Sequence, residues 1–206
     1  GVPALGVFYQ KTESPALRAL AGLAPGADGV LVSRVAYGSP AWGVLAEGDV
    51  IQSLDGVPVL CDGTFHFRKD ERLEFSNLAN LHQMGEEVAL GLLRAGKPLK
   101  VRLKLHPYKE LVPGPDYDKR PTYLVYGGLV FMPLSVNYMN LWESKDQAPR
   151  FRHYSADQLP SEKRREVVFI NQVLPHDVNI GYHNLRKAVV ERINGREISG
   201  MKDVAP

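Results

Sequence analysis

Apolar and polar positions alternate with a period of two over several short stretches. The clearest runs from 99 to 105, where Leu99, Val101, Leu103 and Leu105 alternate with Lys100, Arg102 and Lys104. That pattern predicts a strand with one core face and one wet face. Val88–Leu93 predicts its partner, joined to it through Arg94-Ala-Gly96-Lys97, a glycine-containing hairpin loop. Val30–Val35 is alternating and β-branched and predicts a strand with Val30, Val32 and Val35 partly buried. Val50–Leu54 is a further strand, Asp55-Gly56 a tight hairpin signal, and Val57–Val59 its continuation. Val7–Gln10 reads as a short strand. Helical signals are brief. Pro15–Leu23 is one. Ser39–Leu45 is another, with Ser39 as N-cap and Pro40 at the first helical position. Ser76 reads as the N-cap of a helix over Asn77–Met84, with Leu78 and Leu81 apolar and Gly85 closing it. Residues 61–74 read as a polar excursion.

The pattern occurs twice. Gly29–Gly56 carries a strand, a small-residue turn, a second strand and Asp55-Gly56; Val167–Gly195 carries the same order and ends in Asn194-Gly195. From Val35 to Asp55 is 20 positions and from Val173 to Asn194 is 21. Each copy follows a glycine-bearing apolar segment, Leu5-Gly-Val-Phe8 and Gly127-Gly-Leu-Val-Phe131. A repeat of this size predicts two related small domains. The first is expected over 1–107 and the second over 122–206, with the proline-rich stretch 108–121 as a stiff linker. From Gly6 to Gly29 is 23 positions, but from Gly128 to Val167 is 39. The difference falls on Glu143–Arg165, expected to be an elaborated surface loop. After Gly195 only 11 residues remain, so the second domain is expected to be incomplete at its C-terminus.

Composition narrows the function. The 206 residues are 44% hydrophobic and 23% charged, with a net charge of +2, as in an ordinary globular chain. That charge gives no reason to expect a nucleic-acid partner. No stretch is apolar enough to enter a bilayer as a spanning helix. Cys61 stands alone, so no intrachain disulfide forms and redox compartment is left open. No histidine pair or cysteine cluster has metal-ligand spacing, no phosphate loop occurs, and no cofactor is expected.

Leu5-Gly-Val before a strand, then Gly29-Val-Leu-Val, Ser39-Pro-Ala, Leu45-Ala-Glu-Gly-Asp-Val-Ile, Asp55-Gly and Gly91-Leu-Leu-Arg-Ala-Gly-Lys97 resemble a PDZ domain. The order is similar to that of the PDZ domains following the protease domain in the HtrA/Deg family of serine endopeptidases. Pro121–Ser135 resembles the second PDZ domain of the plant-type Deg proteases and their bacterial relatives. The resemblance implies a mainly β fold with short helices. It further implies a partly open barrel or sandwich capped by helices, with HtrA-type permuted strand order, in two copies. It also implies a groove that captures extended or C-terminal peptide segments by strand addition. The carboxylate loop is then Leu5, Gly6 and Val7; the pairing edge is Phe8, Tyr9 and Gln10; and the opposing helix offers Leu78, Ala79 and His82. Backbone amides in such a loop bind an anion, and glycine permits the close approach. Gly127-Gly128 replaces Leu-Gly in the second copy, where a packing or assembly role is expected.

The nucleophile setting of serine endopeptidases does not occur, so the chain is expected to be non-catalytic. The resemblance implies that the parent protein is a serine endopeptidase of protein quality control. The expected partners are unfolded substrates, the parent's protease domain and further copies in a homo-oligomer, in a periplasmic or organellar setting. Two other classes stay open: a structural assembly module whose groove is self-occupied, and a signalling scaffold without a protease.

Overall fold

The computed structural model describes residues 4–141, 148–156 and 158–204, and the chain divides into two compact units, 1–108 and 109–206. The first unit contains β1 (Val7–Lys11), α1 (Pro15–Leu20), β2 (Val30–Val35), β3 (Val50–Leu54), β4 (Val57–Pro58), β5 (Thr64–Arg68) and β6 (Glu71–Glu74). A 3-10 helix (Phe75–Leu81), β7 (Glu87–Arg94) and β8 (Lys97–Lys104) complete it. One antiparallel sheet runs β1-β2-β3-β7-β8, with β4 added to β3. Among the described residues no sheet closes into a barrel.

Alternation explains the packing. Val30, Val32, Ile51, Leu54, Leu90, Leu92, Leu103 and Leu105 form one buried cluster. Each such side chain withdrawn from water contributes roughly 1.5–3 kcal/mol. Lys100, Arg102 and Lys104 point to solvent. Asp55-Gly56 turns β3 into β4 with φ of 50° and 80°, and Ala95-Gly96 turns β7 into β8 with 49° and 74°. Both residues positive is the turn that matches the twist of paired strands.

Three local expectations are corrected. Ser39–Leu45 is a run of turns, not a helix: the Trp42 amide bonds to the Ser39 carbonyl, and the Val44 and Leu45 amides to the Ala41 carbonyl. The Ser39 side chain caps nothing and is buried. Residues 61–74 hold the β5–β6 hairpin, pinned where the Thr64 amide and hydroxyl both donate to Asp62 Oδ1. The helix expected over 77–84 is the 3-10 helix Phe75–Leu81, which buries Phe75, Leu78 and Ala79; Leu81 is 77% exposed.

The second unit contains β9 (Leu124–Tyr126), β10 (Leu129–Pro133), α2 (Val136–Asn140), α3 (Pro149–Ala156), β11 (Val168–Val173), β12 (Ala188–Val189), β13 (Arg192–Ile193) and β14 (Arg196–Glu197). Its main sheet runs β12-β11-β10-β9. Tyr138, Phe151 and Phe169 pack edge to face or tilted at centroid distances of 4.7–6.2 Å. Leu111 and Val112, within the proline-rich stretch, are buried in this cluster. The expected surface loop 143–165 contains α3, whose Phe151 is a core residue; residues 143–147 and 157 lie outside the described residues.

The repeat is visible in hydrogen-bond register. Val7 pairs Val35, Phe8 pairs Arg34, the register slips, and Tyr9, Gln10 and Lys11 pair Val32, Leu31 and Val30. Leu129 pairs Val173, Val130 pairs Gln172, the register slips at the same step, and Phe131, Met132 and Pro133 pair Ile170, Phe169 and Val168. The Ala36 amide donates to the Gly6 carbonyl and the Leu174 amide to the Gly128 carbonyl. Gly6 and Gly128 therefore hold the same place in the two units.

Candidate peptide-binding groove

Strand β1 is an edge strand of the first unit's sheet. Among the described residues β1 pairs only with β2. Thr12 fixes its far end: the amide donates to the Cys61 carbonyl at 2.8 Å and the hydroxyl to the Gly29 carbonyl at 2.6 Å.

The near end is the Leu5–Gly6 loop. Its carbonyls are taken, that of Leu5 by the Ala41 amide at 3.1 Å and that of Gly6 by the Ala36 amide at 2.8 Å. Among the described residues its two amides donate to no backbone or side-chain acceptor. Gly6 has φ of 75° and lies against Ser39, whose hydroxyl is buried with no partner. The turns over 36–45 thus hold the loop by its acceptors and leave donors unused. These turns are in turn braced by Asp49, 1% exposed, which accepts from the Ala46 amide and from Arg94 Nε and Nη2 at 2.8 and 2.7 Å. Arg94 Nη2 also donates to the Val44 carbonyl at 2.7 Å.

The site residues expected from the sequence fall into three sets. Leu5, Leu78 and Ala79 are buried in one hydrophobic cluster, and Val7 and Tyr9 pack against it. Phe8 and Gln10 are exposed on β1, with the Arg34 guanidinium 5.1 Å from the Phe8 ring centroid. His82 is engaged elsewhere: Nε2 lies 2.7 Å from Asp55 Oδ2 and Nδ1 lies 3.2 Å from Glu86 Oε2. The Gln83 amide and His82 hold the Glu86 carboxyl below its usual range.

Sequence reasoning missed Glu74. The Tyr9 hydroxyl donates to Glu74 Oε1 at 3.0 Å and its ring meets Phe75 edge to face at 5.1 Å. Burial first, and Glu74 next, push the Tyr9 phenol up to about 12. The 65 positions between the two residues gave no local signal.

The second unit differs at the corresponding edge. There β9 pairs with β10 on the side away from β11, with Leu129, Val130 and Phe131 opposite Tyr126, Val125 and Leu124. The chain itself covers the margin that is bare in the first unit. Gly127-Gly128 makes the turn.

Elsewhere, no group of three or more His, Cys, Asp or Glu side chains among the described residues could hold a metal ion. No helix among them is long and apolar enough to cross a membrane.

An edge strand, a glycine loop and a short helix stand side by side in the first unit. Residues 3–105 and residues 112–206 each match a PDZ domain signature, and the chain belongs to the PDZ domain family as two tandem copies. Its relatives are Deg/HtrA proteases. The chain is 37% identical over 216 residues to Protease Do-like 2, chloroplastic, of Arabidopsis thaliana, covering all of this chain and 34% of that protein. It is 31% identical over 198 residues to Putative protease Do-like 3, mitochondrial, of the same plant, covering 96% of this chain and 34% of that protein. It is 25% identical over 158 residues to the serine protease DegP homolog of Plasmodium falciparum, covering 77% and 18%. The chain thus spans about a third of the plant relatives' length. Among solved structures, the HtrA-type protease AlgW with decapeptide aligns with 52% of this chain and 30% of its own, at 24% identity and a TM-score of 0.36.

Proposed function

We propose that this chain is the recruiting and regulatory part of a Deg/HtrA-type serine endopeptidase acting in protein quality control. Its first PDZ domain captures extended or C-terminal segments of unfolded proteins. The ligand's backbone adds to β1 as a further strand, and its carboxylate takes the Leu5 and Gly6 amides. Main-chain hydrogen bonds give affinity, and pockets for alternate side chains give selectivity. The observation that carries this reading is the pairing of a bare edge with two unclaimed amides at one end of it. Relatedness to full-length proteases along the whole chain supports a parent of that kind. The experiment is a titration of the chain with C-terminal peptides and their amidated versions. The free acids bind more tightly; equal affinity contradicts carboxylate capture.

The second PDZ domain serves packing and assembly. The cover of β9 over β10 favours this division of labour. Sedimentation of the chain with and without peptide tests it, with self-association unaffected by peptide as the expected result.

A further inference from the structure

Tyr9 is the middle residue of β1, and its side chain turns toward the start of the 3-10 helix. Its ring covers Gly63 so closely that a Cβ there would lie 2.6 Å from it. Its hydroxyl donates to Glu74 Oε1 at 3.0 Å. The phenol, raised to about 12, keeps its proton at neutral pH and stays a donor. Glu74 has no basic partner among the described residues. Arg72, two residues away on the same strand, pairs with Asp62 at 3.5 Å. The result is a carboxylate steadied by the Tyr9 hydroxyl, with no counter-ion among the described residues.

The course of a captured peptide follows from the fold. Its carboxylate sits at Leu5–Gly6, at the N-terminal end of β1, so the peptide runs antiparallel to β1. Residues opposed on neighbouring strands share a face and lie about 5 Å apart at Cβ. The extra residue at the register slip, Ser33, belongs to β2, so the outer edge of β1 counts evenly. With the ligand's last residue opposite Val7, the one before it faces Phe8 and the third from the end faces Tyr9. That third side chain projects onto the Tyr9 face, toward Glu74.

We propose that Glu74, steadied by the Tyr9 hydroxyl, forms a charge-selective subsite favouring lysine or arginine at the third residue from the ligand's C-terminus. The proposal rests on the strand-addition reading of the groove. An ammonium or guanidinium there pairs with the carboxylate, whereas a glutamate meets like charge.

The test is a fluorescence titration of the whole chain at low salt. The probes are labelled peptides alike except for Lys, Ala or Glu third from a C-terminal valine. Each is made as the free acid and the amide. The lysine peptide binds about two- to fivefold tighter than the alanine peptide, the glutamate peptide is weakest, and the spread narrows as salt screens the pair. Glu74→Lys reverses the order, and Tyr9→Phe narrows the spread. Equal affinity for the three free acids, or an unchanged order in Glu74→Lys, overturns the subsite. The groove reading survives that outcome if the free acids still outbind the amides. If no peptide binds in either form, both readings fall.

Discussion

Gly6 is packed onto Ser39 so tightly that a Cβ at residue 6 would lie 2.1 Å from Ser39 Cβ and 2.4 Å from its hydroxyl oxygen. The loop that leaves two amides unused is therefore defined from below by Ser39, 3% exposed, and from the side by its own positive φ of 75°. Gly6→Ala meets both constraints. We expect a loss of about 2–4 kcal/mol in stability, from left-handed backbone and overpacking together. Denaturant unfolding measures it. Adding Ser39→Gly removes the overpacking share and recovers part of the loss. An unchanged midpoint in Gly6→Ala contradicts the packing described.

The second unit repeats this loop at Gly128 but fills the adjoining edge with β9. One peptide per chain is the expected stoichiometry. Calorimetric titration checks it, and Gly6→Ala removes the binding heat. Two equivalent sites, or binding that persists in Gly6→Ala, runs against the assignment.

The strands were legible because their evidence is local. Asp55-Gly56 and Asn194-Gly195 adopt the paired positive φ that their composition encodes, and Val30–Val35 forms over the residues its alternation marks. The β5–β6 hairpin was missed although Thr64-Phe-His-Phe-Arg68 alternates, because Phe65 alone of its residues reaches the core and Glu71–Glu74 is exposed throughout. β9 was hidden because Leu124-Val-Tyr126 is short and borders the prolines, although an adjacent Gly-Gly between apolar runs is a hairpin signal. Leu5, Gly6 and Leu78 enter the candidate groove through the resemblance alone, and the fold places Leu5 and Leu78 in one buried cluster. The Tyr9–Glu74 and Asp49–Arg94 contacts could not be read, since they join residues 65 and 45 positions apart through the fold.

Asp49 and Arg94 supply a third expectation. Asp49 is buried, and Arg94 closes it off with two bonds while holding the Val44 carbonyl. Arg94→Met strands that carboxylate. Arg94 is 42% exposed, so water replaces part of its contact and the expected cost is about 1–3 kcal/mol. The double variant Asp49→Asn, Arg94→Met is expected to lose less than Arg94→Met alone. Thermal or denaturant melts of the three proteins decide the point, and a neutral Arg94→Met is the contrary result.

Tyr9 supplies a pH dependence with a fixed sign. Burial, then Glu74, raises its phenol from 10.0 to about 12 in the folded chain. Between those values the unfolded chain has lost the proton and the folded chain has kept it. The stability it contributes is intact below pH ~10 and is lost as pH rises toward 12. Ultraviolet absorbance should show a late-ionising tyrosine that disappears in Tyr9→Phe, together with a flatter alkaline loss of stability. Ionisation of Tyr9 near pH ~10, where an unperturbed phenol titrates, contradicts the half-buried, carboxylate-bonded geometry.

The central claim is that the Leu5 and Gly6 amides are spare donors waiting for a carboxylate. The most direct measurement follows these two amide signals in a nitrogen–proton correlation spectrum as a free-acid peptide is added. Both proton signals move downfield and saturate with the binding curve, and the amidated peptide leaves them in place. Peptide binding that shifts signals elsewhere while Leu5 and Gly6 stay unchanged would contradict the account.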